Sequence, residues 1–190
     1  MVPDSLHCLN LLLFKQFSKD LCWNLILSNA FRLPTQFGKE YVVEGNVRQL
    51  KARLLSFYKT TVDTGTRMQD FTVKMIGSEN KRCFKAKGAE TKSFLKFLAH
   101  TLDDEHITLD RPDVWKGCAD ALLGMVSIDP NEHWAMSTQA RQNLFEHYMR
   151  MRRFWNQLKL QLVPKLHQAA HLVQRHQGNR SQQSNSMAHV

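Results

Sequence analysis

Apolar residues recur every three to four positions along most of this chain, a spacing that suits helices and little else. Leu9, Leu13, Phe17, Leu21 and Leu25 follow at intervals of four. They predict a long, largely buried helix over residues 5–30, with Asp4 or Ser5 as its N-cap. Leu33-Pro34 stops it, and residues 36–45 read as a loop. Val47, Leu50, Leu54 and Tyr58 mark a second helix, about 46–61. A third, about 88–102, carries Phe94, Leu95, Leu98 and Leu102 on one side, with Lys85, Lys92 and Lys96 opposite if it starts early enough. Pro112 suits the first turn of a fourth, with Asp110 as its candidate cap and Trp115, Cys118, Leu122 and Met125 facing inward. The fifth, about 137–161, has the clearest pattern: Leu144, Tyr148, Met151, Trp155 and Leu158 fall within an arc of roughly 80°. Val163-Pro164 kinks or restarts it, and Leu166, Ala169, Ala170 and Val173 carry it to about 177.

Two segments break the pattern. Residues 71–75 alternate and read as a short strand or extended connector, and residues 77–87 as a polar, basic loop. The fold class expected is therefore mainly α: a bundle of five to six helices with at most one short strand. It forms one domain over 1–177, followed by a flexible Ser-, Gln- and Asn-rich tail over 178–190. With 190 residues, 43% of them hydrophobic, the chain can bury one sizeable core. Its longest apolar stretches, Leu9–Phe14 and Leu21–Leu27, are flanked by Lys15, Lys19 and Asp20 and fall far short of the roughly 20 residues that span a bilayer. No basic residue precedes Lys15, which argues against a secretory signal. Cys8, Cys22, Cys83 and Cys118 form no C-x-x-C pair and read as reduced thiols, an intracellular signature. The abrupt start inside an apolar segment leads us to expect a piece of something longer.

Charge is unevenly spread. The chain has 26 Lys and Arg against 17 Asp and Glu, a net charge of +9. Residues 74–96 carry +5 and residues 141–180 carry +7, with residues 101–132 at −6 between them. Two basic blocks of this kind can hold phosphate backbones through counterion release. The candidates are Lys81, Arg82, Lys85, Lys87, Lys92 and Lys96 in one block and Arg150, Arg152, Arg153 and Lys159 in the other. The plainer alternative is that these side chains only solvate helix faces, or that the acidic segment docks against one block. Few aromatics are interleaved with the bases, which favours duplex DNA over single strands.

Catalytic signals are weak. His167 and His171 share a helix face at i, i+4, but their flanks, Leu166 and Ala170, favour histidines at the core edge over a zinc site. Asp103-Asp104-Glu105-His106 reads as a solvated helix end, because consecutive residues do not converge on one centre. Cys83 has basic neighbours in Lys81, Arg82 and Lys85 but no identifiable base. Asp4-x-x-His7 stands at the start of the first helix, where capping accounts for Asp4.

Three segments, in order, carry a family resemblance. Val2-Pro3-Asp4-Ser5-Leu6-His7-Cys8, leading into an apolar helix, resembles the Asp-x-x-His-Cys segment of CACTA-type cut-and-paste DNA transposases. Cys83-Phe84-Lys85-Ala86-Lys87-Gly88-Ala89-Glu90 is similar to the family's Leu-Lys-Ala helix start. Leu162-Val163-Pro164-Lys165-Leu166-His167, followed by Ala170-His171-Leu172-Val173, resembles its late helix. The resemblance implies an RNase H-like parent whose three acids hold Mg²⁺ for two-metal strand transfer. This chain would be the helical region set between the second and third acids, with Asp4 and His7 at its leading edge as an active-site remnant. An intact member would use Mg²⁺; this segment, lacking the acidic triad, is expected to be no enzyme and to hold no cofactor. It implies a nuclear location and double-stranded DNA as the partner, and an exposed apolar face would favour self-association. The rival reading is a small helical protein–protein module, using the Met and aromatic residues of the fifth helix and indifferent to salt.

Overall fold

A computed structural model describes residues 13–62, 65–127 and 137–161, and the protein over these residues is mainly helical. The first helix, α1 (Phe14–Leu27), is the axis of the packing. Phe14, Phe17, Ser18, Leu21, Cys22, Trp23, Leu25 and Ile26 are all buried, an arc too wide for a surface helix. It ends three residues before the expected position. The N–H of Asn29 donates to Ile26 O at 3.1 Å and that of Ala30 to Leu25 O at 2.9 Å, with Asn29 at φ 49°. This is a Schellman stop, with asparagine in the left-handed position glycine usually fills.

A single 3₁₀ turn, Thr35–Phe37, leads into α2 (Lys39–Thr60). That helix starts seven residues earlier than the apolar spacing indicates, because its first two turns bury nothing and carry no pattern to read. Its later half buries Val47, Leu50, Leu54, Phe57 and Tyr58. Where residues 71–75 suggested a strand, Val73–Ile76 makes one helical turn, α3. The strands follow it: β1 (Gly77–Ser78) pairs antiparallel with β2 (Lys81–Arg82), so a two-stranded hairpin stands where a loop was expected.

Helix α4 (Gly88–Thr101) begins where the sequence indicates, and the Glu90 carboxylate accepts the Lys87 N–H at 2.8 Å. Lys85 lies before this helix rather than on it, and Lys92 and Lys96 are half-buried rather than fully outward. Helix α5 (Pro112–Val126) has Arg111 at its N-cap, not Asp110, with φ 53° and no side-chain cap bond. The Arg111 guanidinium is engaged elsewhere, donating to Gln157 O at 2.7 Å at the end of α6 (Thr138–Gln157). A cation there faces the negative end of the helix dipole and meets an orphan carbonyl. The Ser137 hydroxyl caps the other end of α6, accepting the Ala140 N–H at 3.1 Å.

Helices α5 and α6 pack closely because two glycines clear the way. A Cβ on Gly117 would meet the Phe154 ring at 2.5 Å, and one on Gly124 would overlap the His147 imidazole. The Phe17 ring lies 5.6 Å from Trp115 and 6.4 Å from Trp155, which ties this pair to α1. Tyr148, Met151 and Trp155 are buried as the fifth-helix spacing requires. Among the described residues no helix is long and apolar enough to cross a membrane. The expected tail over 178–190 and the Val163-Pro164 kink lie outside the described residues.

Candidate nucleic-acid interface

The basic hairpin is held by backbone geometry first. Gly77 takes φ 76°, and a Cβ there would strike Lys81 O, so only glycine suits this turn. The Cys83 N–H donates to Ile76 O at 2.9 Å and the Lys85 N–H to Met75 O at 2.8 Å, carrying the pairing past the strands. One buried bond locks the hairpin to α1: the Trp23 indole N–H donates to Ile76 O at 3.0 Å. Over the same indole lies the Arg82 guanidinium, 5.5 Å from the ring, with its Nε donating to Glu79 O at 3.1 Å. Stacking of this kind fixes the arginine while leaving its charge outward. Burial pushes the Asp20 carboxyl above its ordinary range, opposed by the charges of Lys19 and Arg82 and the hydrogen bond from Gln16.

Around this scaffold Lys81, Arg82, Lys85 and Lys87 are exposed, and Lys92 is half-buried one turn into α4. Lys81, Lys85, Lys87 and Lys92 form no ion pair with any described residue. The acidic segment goes elsewhere: as far as residue 127, Asp103 and Asp120 reach Lys116 at 3.3 and 3.0 Å, and Asp104 reaches Arg53. These three acids therefore do not neutralise the hairpin. The Asp103–His106 run also splays outward, with Asp104 accepting the His106 N–H at 2.9 Å and bound to Arg53, whose hydrogen bond holds its carboxyl below the usual range.

The second block lies on α6. Arg150, Arg152 and Arg153 are exposed, with Arg150 6.0 Å from the Phe154 ring, and Lys159 sits in the left-handed turn that ends the helix. The two blocks meet α1 on different faces. Helix α6 comes against it at Phe17 and the hairpin at Trp23; six residues on a helix separate these by about 120° and 9 Å.

The remaining candidates of the sequence, Asp4, His7, His167 and His171, lie outside the described residues. Among the described residues no group of three His, Cys, Asp or Glu side chains is placed to hold a metal ion. Cys22 and Cys118 are buried free thiols whose pKa burial raises, and Cys83 is half-buried with its Sγ 3.6 Å from Met75 O. Sequence reasoning missed Lys39, which the fold brings to the hairpin, where it pairs with Glu79 at the turn, at 2.5 Å. No spacing signal links residues forty positions apart. Comparison with models of protein families, with curated proteins and with solved structures returns no match to this chain.

Proposed function

We propose that this chain is a non-catalytic, transposase-like helical region that holds the phosphate backbone of DNA through its basic hairpin. One observation carries the reading: Lys81, Lys85, Lys87 and Lys92 gather on the hairpin and the start of α4 without a carboxylate partner among the described residues. Cations left unpaired on a rigid support are available to phosphate, and each phosphate they meet releases condensed counterions. Phosphates are alike at every step of a duplex, so the contact carries no sequence preference. The α6 arginines supply a second contact on another face of α1. Asp4 and His7 have no catalytic role in this reading, and Mg²⁺ belongs to an intact transposase with all three acids. A nuclear location goes with the same resemblance.

The protein–protein alternative draws on the Met and aromatic residues of the fifth helix. Tyr148, Met151 and Trp155 are buried against α5 and α1, so that stripe is spent on the core. The test is binding of a short mixed-sequence duplex at low salt, followed by fluorescence anisotropy. The combined variant Lys81→Glu, Lys85→Glu, Lys87→Glu should bind about tenfold more weakly or worse, with far-UV circular dichroism unchanged because all three side chains are exposed. Equal affinity in the two proteins would refute the reading.

A further inference from the structure

Arg53, in the middle of α2, divides two cavities that differ in charge. On one side Asp103 and Asp104 line the wall together with His100. On the other, a cavity of about 260 Å³ is lined by Ala30, Phe31, Arg32, Gln49, Arg53 and His106. Among the described residues no carboxylate lines this second cavity. It also lies away from the hairpin. Lys92 is one turn into α4, whereas His106 follows Thr101, its last residue, so roughly 14 Å of helix separates Lys92 from that end.

Three segments build the wall. After α1, the Asn29 side chain accepts from the Leu33 N–H and donates to Leu33 O, and Arg32 between them is held at φ 54°, where a side chain bears Cβ strain. The chain beyond α4 returns to this turn: the Thr108 N–H donates to Ala30 O at 3.2 Å, and the Ser28 hydroxyl to Thr108 O at 3.0 Å. Those bonds bring His106 to the cavity. The third segment is α2, where Gln49 and Arg53, four residues apart, share one side. The Arg53 guanidinium is steadied by the Phe31 ring, 5.0 Å away.

Each arginine has spent only part of its hydrogen-bonding capacity. Arg32 Nε donates to Thr108 Oγ1 at 3.2 Å, which leaves both of its terminal nitrogens without a described partner. Arg53 gives one terminal nitrogen to Asp104, on the side of the acidic cavity, which leaves its Nε and the other terminal nitrogen. Both guanidinium groups thus keep an adjacent pair of N–H donors, the fork that holds two oxygens of one anion. The Gln49 amide and the His106 ring make no hydrogen bond with a described residue. Donors converging from three segments suit a tetrahedral oxyanion, whose oxygens point in several directions, better than a planar carboxylate. The volume falls below the roughly 300 Å³ at which pockets for drug-sized ligands begin, so little can be attached to that anion. We infer that this cavity binds a phosphate group, free or carried on a small monoester, at a site separate from the DNA contact of the hairpin.

The full chain is titrated calorimetrically with inorganic phosphate, with glycerol 3-phosphate and with acetate, as wild type, as Arg32→Ala, as Gln49→Ala and as the triple lysine variant. Arg32→Ala should bind phosphate about tenfold more weakly or worse, and Arg32→Lys, which keeps the charge but not the fork, should fall between it and the wild type. Gln49→Ala, at an exposed position with no described bond to lose, should weaken phosphate binding with far-UV circular dichroism unchanged. The triple lysine variant should bind phosphate as the wild type does, and Arg32→Ala should keep the wild-type affinity for duplex DNA, so this site and the hairpin stand or fall separately. Tighter binding of glycerol 3-phosphate than of phosphate identifies a monoester as the ligand, and the reverse identifies the free ion; both support the site. Acetate binding as tightly as phosphate, no binding at millimolar phosphate, or phosphate affinity lost in the lysine variant and kept in Arg32→Ala would each overturn it.

Discussion

Two side chains at helix ends show how local conformation sets what a residue contributes. Asn29 and Lys159 occupy the same left-handed position after α1 and α6, at φ 49° and 52°. Asn29 is compensated there: its Oδ1 accepts the Leu33 N–H at 3.0 Å and its Nδ2 donates to Leu33 O at 2.7 Å. Lys159 has no comparable side-chain bond among the described residues, so nothing there offsets its Cβ strain. Lys159→Gly should stabilise the fold by about 0.5–1 kcal/mol, read as a rise in Tm, whereas Asn29→Gly should give no gain because these two hydrogen bonds and a third, donated by Asn46 Nδ2 to Asn29 Oδ1, leave with the side chain. Asp20 makes a separate test. Its pKa is raised by burial, so the neutral form favours folding; that contribution is full below the ordinary carboxylate range and lost as pH rises through the raised value. Asp20→Asn should therefore raise the denaturation midpoint at pH 7, with the difference from wild type shrinking as pH falls toward 4. Asp104 has the opposite sign. Its lowered pKa contributes stability above the ordinary range and loses it on acidification, a dependence Arg53→Gln should weaken.

Elements were legible in the sequence wherever they bury one face. The centres of α1, α4, α5 and α6 follow from their apolar spacing, and so do their inward residues, Trp115, Cys118, Leu122 and Met125 among them. Boundaries set by backbone chemistry were not legible. The first turns of α2 have no buried face, the N-cap of α5 is an arginine occupied in closing another helix, and α3 and the hairpin turn on the positive φ of Gly77. Close packing of α5 on α6 was equally hidden, since a glycine gives no periodic signal. Gly117→Leu should force the Phe154 ring aside and cost about 1–3 kcal/mol or more in urea unfolding, without altering the hairpin or its charge. Glycine at 117 and 124 is therefore a condition of this helix pair, not a gap in its propensity.

At the scale of the whole molecule, topology decides which charges act together. The sequence contains two basic blocks and an acidic segment in a line; the fold sends Asp103 and Asp120 to Lys116 and Asp104 to Arg53, and sets the basic blocks on different faces of α1. It also draws Lys39, at the start of α2, to Glu79 in the hairpin turn, a meeting that spacing along the chain does not encode. Candidate cations were thus readable from composition, but their freedom from partners was not.

The salt dependence of DNA association tests the account most directly. Plotted as log association constant against log salt concentration, the wild-type chain should give a slope of about −3 to −4, the value for roughly four neutralised phosphates. The Lys81→Glu, Lys85→Glu, Lys87→Glu variant should give a slope nearer zero. A wild-type slope near zero, or the same steep slope in both proteins, would contradict the assignment of phosphate binding to the hairpin.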